Sequence, residues 1–238
     1  MMYIDGHWVN AVSGETFSAY NPSNGEKIGE AADGNQDDAC QAIEAAHRAF
    51  GTWSGLTAYQ RSEYLYMAYR LMMKHKEHLA RVMTEEQGKP LKAAMGEVQY
   101  GADFLRWYAE EAKRVYGETI PAPRSDQRFI VIRQPVGVVA AITPWNYPIS
   151  MITRKIAPAL AAGCTVVLKP AEATPLCAVE MFKIFEKAQI PAGVVNLVTG
   201  LNPAPIGEAF TTHPLVSKIT FTGSTDVGKL LIQKASKQ

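Results

Sequence analysis

The chain has 238 residues, 47% of them hydrophobic and 20% charged, enough to bury a full core. Its 24 Lys and Arg balance 23 Asp and Glu to a net charge of +1, which argues against a general nucleic-acid surface or an anionic-membrane surface. No apolar run reaches the ~20 residues of a bilayer span, and Met1 to Gly6 lacks the basic-then-apolar pattern of a secretory signal, so the cytoplasm is the expected location. Cys40, Cys164 and Cys177 form no Cys-x-x-Cys pair, and the five histidines show no ligand spacing, so neither disulfides nor a metal site is expected.

The chain opens on turn signals for small β structure: Asp5-Gly6, Asn21-Pro22 and Asn24-Gly25. At Asn35 the pattern becomes helical. Asn35 is the expected N-cap, Asp37 and Asp38 charge the first turn, Ala39, Ile43, Ala46 and Phe50 share a face, and Gly51 is expected to close the helix. Helices follow over about 59–74 and 76–86, with Gly88 and Pro90 as stop and restart. The next helix is predicted to reach Tyr116, with Tyr100, Phe104, Trp107, Tyr108 and Val115 as a core-packing stripe rather than a ligand platform. Between Gly117 and Gln134 two short β runs, Thr119-Ile120 and Phe129 to Ile132, predict a two-stranded arm. An isolated hairpin is marginal, so this arm is expected to lean on another domain or subunit.

From Val136 strands and helices alternate: strand 136–142, helix 150–162, strand 165–168, helix 175–188, strand 194–199, helix 205–211, strand 219–222 and helix 225–234. That rhythm predicts an α/β fold, a mostly parallel sheet with helices on its faces. Pro158 conflicts with the first of these helices, but the apolar pattern continues across it.

Ligands of open α/β sheets bind beyond the carboxyl ends of the strands. The readable ends are Thr143, Pro144, Trp145 and Asn146; Lys169, Pro170, Ala171 and Glu172; Thr199-Gly200; and Gly223-Ser224-Thr225. Lys169 and Glu172 offer a donor and an acceptor suited to vicinal hydroxyls, or else a plain surface ion pair. Ser224 is suited to a phosphate at a helix N-terminus, though an ordinary N-cap is the plainer reading. Asn146 carries an amide that can donate to a developing oxyanion, or is a loop asparagine. No Gly-x-Gly-x-x-Gly fingerprint is present.

The segments Ile142-Thr143-Pro144-Trp145-Asn146-Tyr147-Pro148, Ala159 to Cys164, Leu168-Lys169-Pro170-Ala171-Glu172 with Thr174-Pro175, Phe221 to Gly228, and Glu86-Gln87-Gly88-Lys89-Pro90 upstream closely resemble the aldehyde dehydrogenases. The resemblance implies a Rossmann-like cofactor domain over residues 1–238, incomplete, with 119–134 as a bridging hairpin for oligomer assembly and 135–238 as the dinucleotide-binding βα units. It implies NAD(P)-dependent oxidation of an aldehyde to an acid. Lys169 and Glu172 would hold the adenosine ribose, Ser224 the pyrophosphate, and Gly207 and Gly223 would admit the cofactor. Thr143, Pro144, Trp145, Asn146, Pro170 and Ala171 would line it, and Asn146 would also be the oxyanion amide. An acidic Glu172 should repel a 2′-phosphate, so NAD is expected over NADP.

Met151-Ile152-Thr153-Arg154-Lys155 looks like the succinate-semialdehyde dehydrogenases, where the arginine would receive the substrate carboxylate; a solvated helix arginine is the alternative. The family's Glu-Leu-Gly-Gly glutamate and nucleophilic cysteine would lie beyond Gln238. The expectation is therefore a piece of a homo-oligomeric semialdehyde dehydrogenase that is inactive alone, against the alternative of a short non-catalytic nucleotide-binding or subunit-interaction module.

Overall fold

The computed structural model describes residues 1–237. Strands β1 (Met2–Ile4) and β2 (His7–Val9) form a hairpin across Asp5 and Gly6, both at positive φ (52° and 80°), as a two-residue type I′ turn requires. Strands β3 (Thr16–Tyr20) and β4 (Lys27–Ala32) pair antiparallel around the Asn21 to Glu26 loop.

Helix α1 (Gln36–Ser54) starts at a full capping box: Asn35 accepts from the Asp37 and Asp38 end of the helix, and Asp38 accepts from the Asn35 N–H. It does not stop at Gly51 as expected but runs on to a cap at Gly55. The buried Trp53 explains the extra turn, because its indole Nε1 donates to the Leu160 carbonyl at 3.2 Å and outweighs one helical glycine.

Helices α2 (Ala58–Lys74), α3 (Lys76–Gln87) and α4 (Leu91–Glu111) follow, with Gly88 in the left-handed region (φ 75°) between the last two. Helix α4 ends five residues before Tyr116, in a 3-10 turn over Ala112–Arg114. The aromatic stripe expected to pack its core does so only in part: Tyr108 is half-buried against the core, but Trp107 is 62% exposed, and Tyr100 and Val115 are also exposed. The buried face is Ala94, Val98, Gly101, Ala102, Leu105 and Ala109, whose small residues let α4 lie close on its neighbours.

Strands β5 (Glu118–Ile120) and β6 (Phe129–Val131) form the expected arm, a separate two-stranded sheet. Its apolar side chains are open, with Ile130 71% exposed.

The main sheet adds β7 (Val138–Ile142), β8 (Thr165–Lys169), β9 (Val195–Leu197) and β10 (Val216–Phe221) to the first hairpin, in the order β10-β7-β8-β9-β1-β2. The four later strands are parallel; β1 joins β9 antiparallel. Strand β7 begins two residues later than expected, because Gly137 (φ 121°) turns the chain and leaves Val136 outside. Helices α5 (Ser150–Ala161), α6 (Pro175–Lys187), α7 (Pro203–Thr212) and α8 (Thr225–Ala235) complete the units. Pro158 does sit inside α5, one turn from its end, where the missing N–H leaves only the Arg154 carbonyl without its helical donor.

Alternation divides the core. Val138, Ala140 and Val167 face α1 and α7, while Val139, Ala141, Val166 and Leu168 face α2, α4, α5 and α6. No helix among the described residues is long and apolar enough to cross a membrane.

The buried Glu86 ties α3 to α6 within the layer that covers one face of the sheet. It accepts from the Leu176 and Cys177 N–H groups at 2.6 and 2.8 Å, capping α6 where Thr174 makes no side-chain cap. Burial pushes its carboxyl up to about 7, against the Cys177 thiol and the two N–H groups, which pull the other way. The folded state therefore binds more protons than the unfolded between about 4.5 and 7. Stability falls as pH rises through that window, by about 3 kcal/mol in all. Urea unfolding should show Glu86→Gln gaining on the wild type by that order between pH 4.5 and 7.5; a difference that does not change with pH would contradict the assignment.

Candidate functional site

Three parallel strands end level with one another. Ile142, the last residue of β7, is in register with Lys169 of β8 on one side and with Phe221 of β10 on the other. The chain winds from β7 through β8 to β9 and then returns to the opposite flank of β7. Strand order thus reverses between β7 and β10, and the crevice at such a reversal is where open α/β sheets take ligands.

At the end of β8, Lys169 Nζ donates to Glu172 Oε2 at 2.9 Å. Lys169 is buried and Glu172 exposed, so this is not a free surface pair: a fixed ammonium presents a carboxylate at the crevice mouth. Burial opposes ionisation of Glu172, but its own N–H and the Lys169 ammonium outweigh it and hold the carboxyl below the usual range. Pro170 and Ala171 are buried beneath, in a turn closed by the Thr174 N–H on the Ala171 carbonyl.

At the end of β7, the Thr143 N–H donates to the Lys169 carbonyl at 3.2 Å, continuing the ladder. Its side-chain Oγ1 is buried with no partner among the described residues. Pro144 is half-buried; Trp145 and Asn146 are exposed at the rim. At the end of β10, Ser224 caps α8, accepting from the Val227 N–H at 3.3 Å. The cap reading is correct for its lone pair, and the hydroxyl proton stays available to an anion. A Cβ on Gly223 would fall 2.5 Å from Phe221 Cζ, whereas one on Gly207, in α7, would meet nothing within 4 Å.

Arg154 stands apart from these strand ends. A groove of about 530 Å³ lies next to the Asn146 loop, lined by Lys89, Gly96, Glu97, Tyr100, Met151 and Tyr147, the residue that follows Asn146. Arg154 lies one turn beyond Met151 on α5, exposed, with its guanidinium 5.9 Å from the Phe104 ring centroid.

Three charged residues at the site were not singled out from the sequence. Lys89 and Glu97 form a buried pair behind Asn146. Lys155, 7% exposed, donates to Thr222 Oγ1 at 2.8 Å and Thr220 Oγ1 at 3.3 Å. Its place was legible, because it shares the buried helical face of Ile152 and Ile156. Burial, then the neighbouring Arg154 charge, lowers its ammonium to about 8. NMR titration of the Lys155 side chain should give a midpoint near pH 8, and Arg154→Gln should raise it; a midpoint above 10, or one unmoved by that substitution, would refute the account.

Fold and crevice together define an α/β protein of the dinucleotide-binding class. Comparison with known proteins narrows this: the "Aldehyde dehydrogenase family" profile matches residues 8–238. The chain belongs to the aldehyde dehydrogenase family. It is 54% identical over 235 residues to the 3-sulfolactaldehyde dehydrogenase of Pseudomonas putida, covering 99% of this chain and 48% of that protein. It is 50% identical over 234 residues to the succinate-semialdehyde dehydrogenase [NADP(+)] GabD of Escherichia coli (strain K12), covering 98% and 48%. A crystal structure of an E. coli NADP-dependent enzyme superposes with a TM-score of 0.98 at 50% identity, over all of this chain and 49% of that one. The chain thus spans about half the length of the relatives it matches.

Proposed function

We propose that residues 1–238 form the dinucleotide-binding part of an NAD-dependent semialdehyde dehydrogenase acting on an aldehyde with a distal anion, succinate semialdehyde first among them. The observation that carries this reading is the buried Lys169 holding Glu172 level with the Asn146 loop across adjacent strands. The orphaned Thr143 Oγ1 and the open side of Gly207 fit a cofactor laid along this edge. When bound, nicotinamide dinucleotide supplies the hydride acceptor.

In this reading Lys169 Nζ and the Glu172 carboxylate grip the adenosine ribose hydroxyls, and Glu172 repels a 2′-phosphate. Ser224 and the N–H groups opening α8 face the pyrophosphate. Gly207 and Gly223 admit the cofactor, which Thr143, Pro144, Trp145, Pro170 and Ala171 wall in. Asn146 Nδ2 donates to the aldehyde oxygen as it gains negative charge. Arg154 receives the distal anion through its planar fork; the aldehydes in the names of both relatives carry such a group.

The nucleophilic thiol and the base for hydrolysis are assigned to residues outside this chain. Burial, then Glu86, pushes the Cys177 thiol well above its ordinary range; burial, then Asp37 and Glu44, raises Cys40; and Cys164 is buried. The exposed β5–β6 arm is assigned to contact between subunits of a homo-oligomer. The cytoplasm is the proposed location, on the compositional grounds above.

Calorimetric titration should show NAD binding tighter than NADP, a loss of about tenfold or more in NAD affinity for Lys169→Met, and a narrowed preference for Glu172→Gln. Equal affinity for both dinucleotides in the wild type would overturn the role of Glu172. In the complete gene product, Arg154→Met should raise KM for succinate semialdehyde by at least about tenfold and that for hexanal far less. A parallel change for both aldehydes would remove Arg154 from the substrate site.

A further inference from the structure

Lys89 and Glu97 converge on the loop that carries Asn146. Lys89 follows the left-handed Gly88 and precedes Pro90, which opens α4; Glu97 lies two turns into that helix. Their side chains pair, with Glu97 almost fully buried and Lys89 mostly so. Lys89 Nζ also donates to the Asn146 carbonyl at 2.9 Å and sits 4.1 Å from the Tyr147 ring centroid. Glu97 Oε1 accepts from the Ile149 and Ser150 N–H groups at 3.1 and 3.2 Å. One ion pair thus grips both ends of the segment from Asn146 to Ser150.

Stability alone does not explain the pair, because burying two charges is often no better than burying apolar groups of the same shape. An apolar pair could neither hold the Asn146 carbonyl nor satisfy the first N–H groups of α5. The Asn146 side-chain amide makes no hydrogen bond among the described residues, so its backbone, held by Lys89, is the part of the residue that the protein fixes. We propose that Lys89 and Glu97 are positioning residues, a clamp that fixes the Asn146 backbone and so aims its amide at the reacting aldehyde oxygen. This rests on the role given to Asn146 above.

The test is a double-substitution cycle in the complete gene product. Lys89→Met should lower kcat for succinate semialdehyde by about 10- to 100-fold, the range of a misplaced oxyanion donor, with NAD affinity within about twofold. In an Asn146→Ala background the same substitution should lower kcat no further. Glu97→Gln, which keeps an acceptor for Ile149 and Ser150 but releases the Lys89 charge, should behave alike and serves if Lys89→Met does not fold. An equal loss in both backgrounds, or no loss in either, would overturn the clamp. Should the gene product oxidise no aldehyde, the role of Asn146 fails separately. The clamp is then decided by NMR of the chain: the Asn146 side-chain amide signals, identified through Asn146→Asp, should move with Lys89→Met and not with the exposed Lys92→Met, and signals unmoved by Lys89→Met would overturn it.

Discussion

Strand β7 is buried on both faces, and the rest of the molecule follows from that. Val138 and Ala140 are sealed by α1 and its neighbours, Val139 and Ala141 by α5 and its neighbours, while β8 and β10 take the backbone on either side. A strand enclosed in this way has no place for a polar side chain along its length. The first polar groups appear where the strand leaves the core, at Thr143 and Asn146, and the level register with Lys169 and Phe221 brings the other strand ends to the same place. The crevice is therefore a consequence of the packing.

Close contact between α4 and α5 sets the second half of the site. A Cβ on Gly101 would come within 3.2 Å of the Ser150 Cα and 3.0 Å of Met72 Cε, so the start of α5 can approach α4 only over a glycine. That approach brings Glu97 under the open N–H groups of α5 and Lys89 against the Asn146 carbonyl. The backbone on which Asn146 is displayed is thus held from α4 and the turn before it.

The βα units from β7 onward were legible because alternation and helical period switch cleanly there, and their polar ends pointed to the crevice. Partner roles for those ends came from the resemblance, since Lys169 with Glu172 reads equally as an ion pair. The aromatic stripe on α4 misled because a helix seated against close neighbours buries its small residues, and residue size is not visible in a count of apolar positions. The docking of β1 on β9 was not legible either: it joins Tyr3 to Leu197, and nothing local in either strand names its partner. The same holds for Lys89 and Glu97, eight positions apart across the start of a helix and meeting a loop 57 residues away.

The most direct test of the strand-end crevice as a dinucleotide site is chemical-shift mapping of the isotopically labelled chain with NAD. The account predicts saturable shifts concentrated at residues 143–146, 169–172 and 222–225, with Gly207 among them. Shifts that cluster elsewhere, or none at millimolar NAD with the fold intact, would contradict it.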